Sequence, residues 1–237
     1  MARKKRSLNK RSMGTSIIPR NTNVTINTES PHYPTIQNVT CVLTPDNMRE
    51  DQIGVPLYLD IGVLDVETCE PAPNVLLGLW HCNATGSYAS FEALSPDTPF
   101  LELLDQLNIT VGPNLDLHTS EATCLRDMWP TDSNGVIEME TIFPGFYVER
   151  SIHIHVQAHT NWTVRSNGTI SASNIASTGQ MYFEEEVSQK IMAMEPYAAH
   201  DTINRTTNDV DQYYGQGPAA GWEPIIQVEA LEWCRHC

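Results

Sequence analysis

Residues Pro130–His159 read PTDSNGVIEMETIFPGFYVERSIHIHVQAH. Pro130–Gly135 is a turn made of proline, aspartate, serine, asparagine and glycine, residue types that each favour reversal for a local reason. Val136–Ile142 follows as a strand, and Pro144-Gly145 breaks it. From Ile152 the chain alternates strictly. Ile152, Ile154, Val156 and Ala158 point one way and His153, His155, Gln157 and His159 the other, which is the period-two pattern of a strand with one buried face.

The same punctuation recurs on either side. Leu57, Leu59, Ile61 and Val63 alternate, and Glu70–Asn74 makes a turn. Val75–Cys82 is a nearly continuous apolar run, short enough for a buried strand. Two segments carry helical spacing instead. Thr98–Leu107 places Phe100, Leu101, Leu104 and Leu107 on one face, with Asp97 as N-cap, and Glu184–Met194 turns Val187, Ile191 and Met194 inward. Gly215–Gly221 reads as a linker and Pro224–Leu231 as a late strand. Many short strands separated by turns predict a mainly β chain, a β-sandwich with short helices. The domain is expected over 41–232. Residues 1–40 are polar and aperiodic, a disordered arm that serves as a pro-segment, and 233–237 form a tail.

Fourteen basic residues face 29 acidic ones, for a net charge of −15. Seven of the basic residues (Arg3, Lys4, Lys5, Arg6, Lys10, Arg11 and Arg20) lie in the arm, so the body is more acidic still. Such a body repels phosphate backbones and excludes a nucleic-acid partner. No apolar run reaches the roughly 18 residues of a membrane span.

Six cysteines (Cys41, Cys69, Cys82, Cys124, Cys234 and Cys237) are compatible with three disulfides of undetermined pairing. At Cys234-x-x-Cys237, a structural disulfide or an unpaired tail is favoured over a redox pair. Glycosylation sequons stand at Asn23, Asn38, Asn83, Asn108, Asn161, Asn167 and Asn204. Together these predict an oxidising, glycosylating compartment. Met1–Met13 lacks an apolar signal stretch, while Lys5-Arg6 and Lys10-Arg11 resemble dibasic processing sites. The expectation is a secreted protein whose signal sequence is missing from this chain; the alternative is a cytosolic protein with a basic tail.

His153 and His155 sit two apart on one strand face, about 6.6 Å along the strand, and can lean toward one metal. His159 shares that face about 13 Å further on and is a poor third ligand. Alone, the pair also fits a half-exposed strand face that merely carries polar residues. Aspartate or glutamate supplies many third ligands, but Tyr147 and Arg150 stand nearby instead.

The stretches Gly54–Cys82, Asn83–Tyr88 (NATGSY), Leu125-Arg126, Pro130–His155 and Thr178–Phe183 (TGQMYF) resemble the intradiol ring-cleavage dioxygenases, most closely their secreted fungal branch. The joint pattern W-H-C-x-A-x-G-x-Y, then P-G-x-Y-x-x-R-x-x-H-I-H, is specific. The resemblance implies a ferric iron held by Tyr88, Tyr147, His153 and His155. Phenolate oxygens with imidazoles suit Fe(III) better than thiolate-seeking metals, and a trivalent cation favours the phenolate form. The resemblance further implies cleavage of a catechol between its hydroxylated carbons, with both atoms of O2 incorporated. Tyr147 would leave the iron and take up a substrate proton, Arg150 would stabilise charge on the ring, and Gln180 would stand beside it. Without the motif, Arg150 would read as a surface ion pair with Glu149 and Gln180 as a strand-edge amide.

Three departures stand out. Relatives in this branch usually follow Cys-Val-Leu-Thr-Pro with an E-G-P-Y-Y segment that gives the pocket an aromatic wall, whereas Cys41–Pro45 runs into Asp46–Gln52. Asp127 replaces a usual glycine. Glu149 replaces a small residue and is expected to weaken binding of acidic catechols. A secreted glycoprotein that keeps the fold as a binding module is the rival to an active dioxygenase.

Overall fold

The computed structural model describes residues 47–108, 119–166 and 169–230. The expected arm and tail, Cys41, Cys234 and Cys237, and the sequons at Asn23, Asn38 and Asn167 lie outside the described residues.

Two antiparallel sheets face each other across one core. The smaller pairs β1 (Pro56–Gly62) with β4 (Val136–Ile142), from Pro56 opposite Ile142 to Gly62 opposite Val136. The larger has the order β3-β2-β5-β6, with β2 at Leu76–Trp80, β3 at Arg126–Pro130, β5 at His153–Val164 and β6 at Ile170–Tyr182. The strands expected at β1, β4 and β5 form; in β5 Ile154 and Ala158 are buried as expected, but so are His153 and His159 on the other face. Leu59, Ile137, Met139 and Ile142 of one sheet meet Leu77, Leu79, Ile154 and Ala158 of the other in a single buried cluster. Dispersion and the release of apolar surface from water drive this closure. The Tyr197 hydroxyl, buried at its edge, donates to Phe143 O at 2.6 Å and accepts from Val55 N at 3.0 Å.

Several sequence expectations are corrected. Helix α1 spans Phe100–Gln106 and buries Leu103 and Leu104, leaving Phe100, Leu101 and Leu107 exposed. The buried stripe is rotated by one residue, about 100° around the helix, because this two-turn helix docks by the edge that carries Leu103. Its N-cap is Pro99 rather than Asp97. The Asp97 carboxylate instead accepts from His200 Nε2 at 2.6 Å and Thr202 Oγ1 at 2.5 Å. Helix α2 runs Glu185–Met192 and ends before Met194, which is half exposed. The supposed linker at Gly215–Gly221 holds a single helical turn, α3, at Gln216–Ala219. The late strand is reduced to one bridge between Tyr182 and Ile225. Strands β3 and β6 were not expected from periodicity. In β6, ISASNIASTGQMY, small polar residues blur the alternation.

Cys69, Cys82 and Cys124 are free thiols. Cys82 is buried, and desolvation pushes its thiol up to about 12, so it behaves as a small core residue.

His81 joins the two sheets. It follows β2, is fully buried, and bonds Cys82 O through Nδ1 (2.8 Å) and Thr141 Oγ1 of β4 through Nε2 (2.7 Å). The carbonyl can only accept, so Nδ1 carries the proton and Thr141 donates to Nε2. Burial lowers the imidazole to about 4. The unfolded chain therefore takes up a proton below pH 6.5 that the fold refuses until about 4. Its contribution is complete above pH 6.5 and lost as pH falls through that window, on the order of 3 kcal/mol at most. Urea midpoints of the metal-free protein are expected to fall from pH 7 to pH 4, and His81→Gln to flatten that slope; a variant with the wild-type slope would remove His81 as a cause.

Candidate active site

The open face of the larger sheet carries the histidine pair. Register sets Trp80 and Gln180 on either side of His155, and Tyr182 opposite His153. Directly opposed residues of antiparallel strands share a face. The H-x-H of β5 therefore looks across at the Q-x-Y of β6. His159 stands further along, opposite Leu76, and takes no part in the cluster.

Two turns bring the tyrosines. Tyr147 begins the turn Tyr147–Arg150, closed by Arg150 N donating to Tyr147 O at 3.3 Å, with Glu149 in the left-handed region at φ 65°. Tyr88 follows a turn organised by Asn83, whose Oδ1 accepts from Thr85 N and Ser87 N, both at 3.0 Å. The sequon asparagine at 83 is thus a structural turn residue.

These turns interlock at two glycines. Gly145 N donates to Asn83 O at 3.0 Å. A Cβ on Gly145 would lie 2.5 Å from Ala84 O and Asn83 O, and one on Gly86 (φ 86°) would lie 2.1 Å from Phe146 O. Only glycine allows the backbones to approach this closely.

The side chains converge. Tyr147 Oη lies 3.2 Å from His153 Nε2, which lies 3.2 Å from His155 Nε2. The Tyr88 ring is 5.6 Å from Tyr147 and 6.0 Å from His155, and its Oη is buried without a hydrogen-bond partner. His153 Nδ1 meets Ser151 O at 2.7 Å, which puts its proton on Nδ1 and leaves Nε2 a lone pair. Gln180 Nε2 is 3.4 Å from His155 Nδ1, at the long limit of a hydrogen bond. Burial, then the Arg150 charge, lowers His153 to about 3 and His155 to about 4, so both are neutral at pH 7. Burial also raises Tyr147 to about 12 and holds Tyr88 well above 10.

Arg150 is the hub of the site. Nε donates to Asp211 Oδ2 at 2.8 Å, and the second terminal nitrogen to Gln180 Oε1 at 2.5 Å and Tyr182 Oη at 3.2 Å. Its other terminal nitrogen is 3.4 Å from Tyr147 Oη. The ion pair with Glu149 weighed from sequence is replaced by one with buried Asp211. Asp211 also accepts from Ser151 N at 2.9 Å, Tyr213 N at 2.7 Å and Tyr214 N at 3.0 Å. Burial opposes its charge, but Arg150 and these N–H groups win and hold the carboxyl below its usual range. Tyr213 lies over the guanidinium at 4.5 Å. Asp211, Tyr213 and Ser151 escaped sequence reasoning. No local pattern marks them, although Tyr182 could have been found as the residue two beyond Gln180.

Among the described residues, no three of His, Cys, Asp and Glu cluster so as to hold a metal. A cation here must draw on the tyrosines. Two imidazole nitrogens, two phenolic oxygens and a buried oxygen lacking a partner fit a hard, highly charged ion. Phenols held this far above neutrality stay protonated unless such a charge replaces the proton.

A solved intradiol ring-cleavage dioxygenase from Tetranychus urticae matches with a TM-score of 0.64 at 24% identity, over 92% of this chain and 87% of that one. The chain has the intradiol dioxygenase fold. A second solved dioxygenase gives a TM-score of 0.63 at 24% identity, over 92% of this chain and 86% of its own. No protein-family model and no curated protein matches the chain. All six residues singled out from sequence, Tyr88, Tyr147, Arg150, His153, His155 and Gln180, come together in one side-chain cluster, and Tyr88, Tyr147 and Arg150 of it line the cleft.

Gly86→Ala or Gly145→Ala is expected to separate the two turns and to cost about 2 kcal/mol or more, since a buried clash adds to any left-handed strain. A drop of several degrees in melting temperature checks this; an unchanged melt would show that the turns do not depend on each other.

Proposed function

We propose that the chain belongs to the intradiol dioxygenase family and is an active enzyme that cleaves catechols between their hydroxylated carbons, incorporating both atoms of O2. The convergence of the Tyr88, Tyr147, His153 and His155 side chains carries this reading. These four residues would hold a ferric iron, which when bound would supply the electron-withdrawing centre that opens a catechol to O2.

The Ser151 carbonyl fixes the His153 tautomer and leaves Nε2 free as a ligand atom. Tyr147 would accept a proton from the catechol at Oη once a metal's charge has displaced its own, because burial outweighs the pull of the Arg150 guanidinium 3.4 Å away. Arg150 then offers positive charge to the ring as negative charge builds on it. Its position is set before substrate arrives, by Asp211 on one side and Gln180 and Tyr182 on the other. A donor that needs no reorganisation is worth on the order of 3 kcal/mol at the transition state. Gln180 Oε1, accepting from Arg150 and Tyr182 at once, couples β6 to that position.

Iron-loaded protein is expected to show phenolate-to-iron absorption in the visible and to consume O2 with catechol. Tyr147→Phe should retain iron yet lose roughly 100-fold in kcat with its general base. Its anaerobic catechol complex should match the wild-type spectrum, and that of Tyr88→Phe should not. Zinc at full occupancy with no iron after aerobic reconstitution would overturn the ferric reading, and a colourless protein that takes up no O2 would leave the fold as a binding module. A secretory route is proposed on the exposed sequons Asn108, Asn161 and Asn204. Protein secreted by a eukaryotic host should lose mass on enzymatic deglycosylation; an unchanged mass would count against it.

A further inference from the structure

We infer that the cleft selects neutral catechols bearing a bulky apolar substituent and disfavours carboxylated ones, a conclusion that rests on the dioxygenase reading. The cleft encloses ≈ 390 Å³. An apolar cavity of about 150 Å³ is enough for a single benzene ring, and drug-sized ligands occupy roughly 300–1,000 Å³. Space for a second ring or a branched alkyl group therefore remains beyond the catechol itself.

The walls decide what fills that space. Phe91, Leu94, Phe100, Leu103, Val148 and Tyr213 line it. Phe100 and Tyr213 are 52% and 46% exposed, so two aromatic rings stand half in water at the mouth. A substituent covering both would release apolar surface from each. Tyr213 is held in place, its N–H by Asp211 and its ring by the Arg150 guanidinium beneath.

The charges point the same way. Glu149 and Arg150 are the only charged side chains lining the cleft among the described residues. Arg150 is already matched by a fully buried aspartate, and three of its N–H groups are committed to Asp211, Gln180 and Tyr182. A substrate carboxylate would meet a guanidinium whose charge Asp211 already offsets and whose other terminal nitrogen faces Tyr147 Oη at 3.4 Å. Glu149, exposed and next in chain to Arg150, would repel one. A carboxylate entering this cleft gives up its hydration and meets no unmatched positive charge.

Isothermal titration of the protein, with and without iron, against catechol, 4-tert-butylcatechol and protocatechuate tests this. 4-tert-Butylcatechol is expected to bind about ten-fold or more tightly than protocatechuate. Tyr213→Ala should reduce the preference for 4-tert-butylcatechol over catechol by about ten-fold, whereas Tyr213→Phe should keep it. Glu149→Gln should recover up to about five-fold for protocatechuate, a modest gain because the site is exposed. Should Tyr213→Ala prove unstable, the near-isosteric Tyr213→Phe and Glu149→Gln, with the wild-type ranking, still decide. Protocatechuate binding as tightly as 4-tert-butylcatechol, or a folded Tyr213→Ala with unchanged preference, would overturn the inference. If iron-loaded protein turns over no catechol at all, the dioxygenase reading falls; turnover of catechol with protocatechuate preferred defeats only the selectivity.

Discussion

The ion pair between Arg150 and Asp211 ties the working parts of this molecule together. Both side chains are nearly removed from solvent, at 10% and 0% exposure. Burying two charges is costly, and the attraction repays it only when the remaining hydrogen-bonding capacity is also used. Here it is used. Asp211 takes backbone N–H groups from Ser151, Tyr213 and Tyr214, and Arg150 spends one terminal nitrogen on Gln180 and Tyr182 and turns the other to Tyr147 Oη at 3.4 Å. Removing either partner would leave an uncompensated buried charge, a loss of about 3–5 kcal/mol. One pair thereby joins the turn before β5, the end of β6 and the segment that carries Tyr213.

That arrangement explains how a shallow sheet face becomes a site. Strands supply the histidines, Gln180 and Tyr182 with spacing set by the pleat. Turns supply Tyr88 and Tyr147, and turns need a separate restraint, which the close approach at Gly86 and Gly145 provides. Uncharged imidazoles and protonated phenols surround one fixed cation whose charge is already balanced. The cluster suits a strongly charged metal from outside, and the cleft beyond it suits an uncharged ligand. Tyr213 also supplies an aromatic wall from the C-terminal part of the chain, where the residues after Pro45 lack the aromatic segment usual in the family resembled.

Legibility in the sequence followed contact distance along the chain. Strands β1 and β5 were readable from apolar residues at every second position and β4 from the turn and breaker that bound it, and the H-x-H pair inherited its shared face from the strand period. Strand β6 was not, because Ser, Ala and Thr fit either side of a sheet. Helix α1 was readable as a helix but not in its facing, since Phe100, Leu101, Leu103 and Leu104 offer two apolar edges and only docking chooses one. The sequon at Asn83 and the cysteines at 69, 82 and 124 were counted by type. Their roles depend on a turn and on burial that type does not encode.

The sequence by itself determined the mainly β character and the shared face of His153 and His155, because strand period is a local property, and the motif's resemblance to the intradiol dioxygenases added Tyr88, Tyr147, Arg150 and Gln180 to the cluster. Tertiary structure alone decided that Arg150 pairs with Asp211 and not with its neighbour Glu149, that Tyr213 covers the guanidinium, and that the cation lining the cleft is already offset by a buried carboxylate. Those partners lie some sixty residues apart, and burial, which sets both the cost of a charge and the worth of its partner, exists only once the sheets have closed.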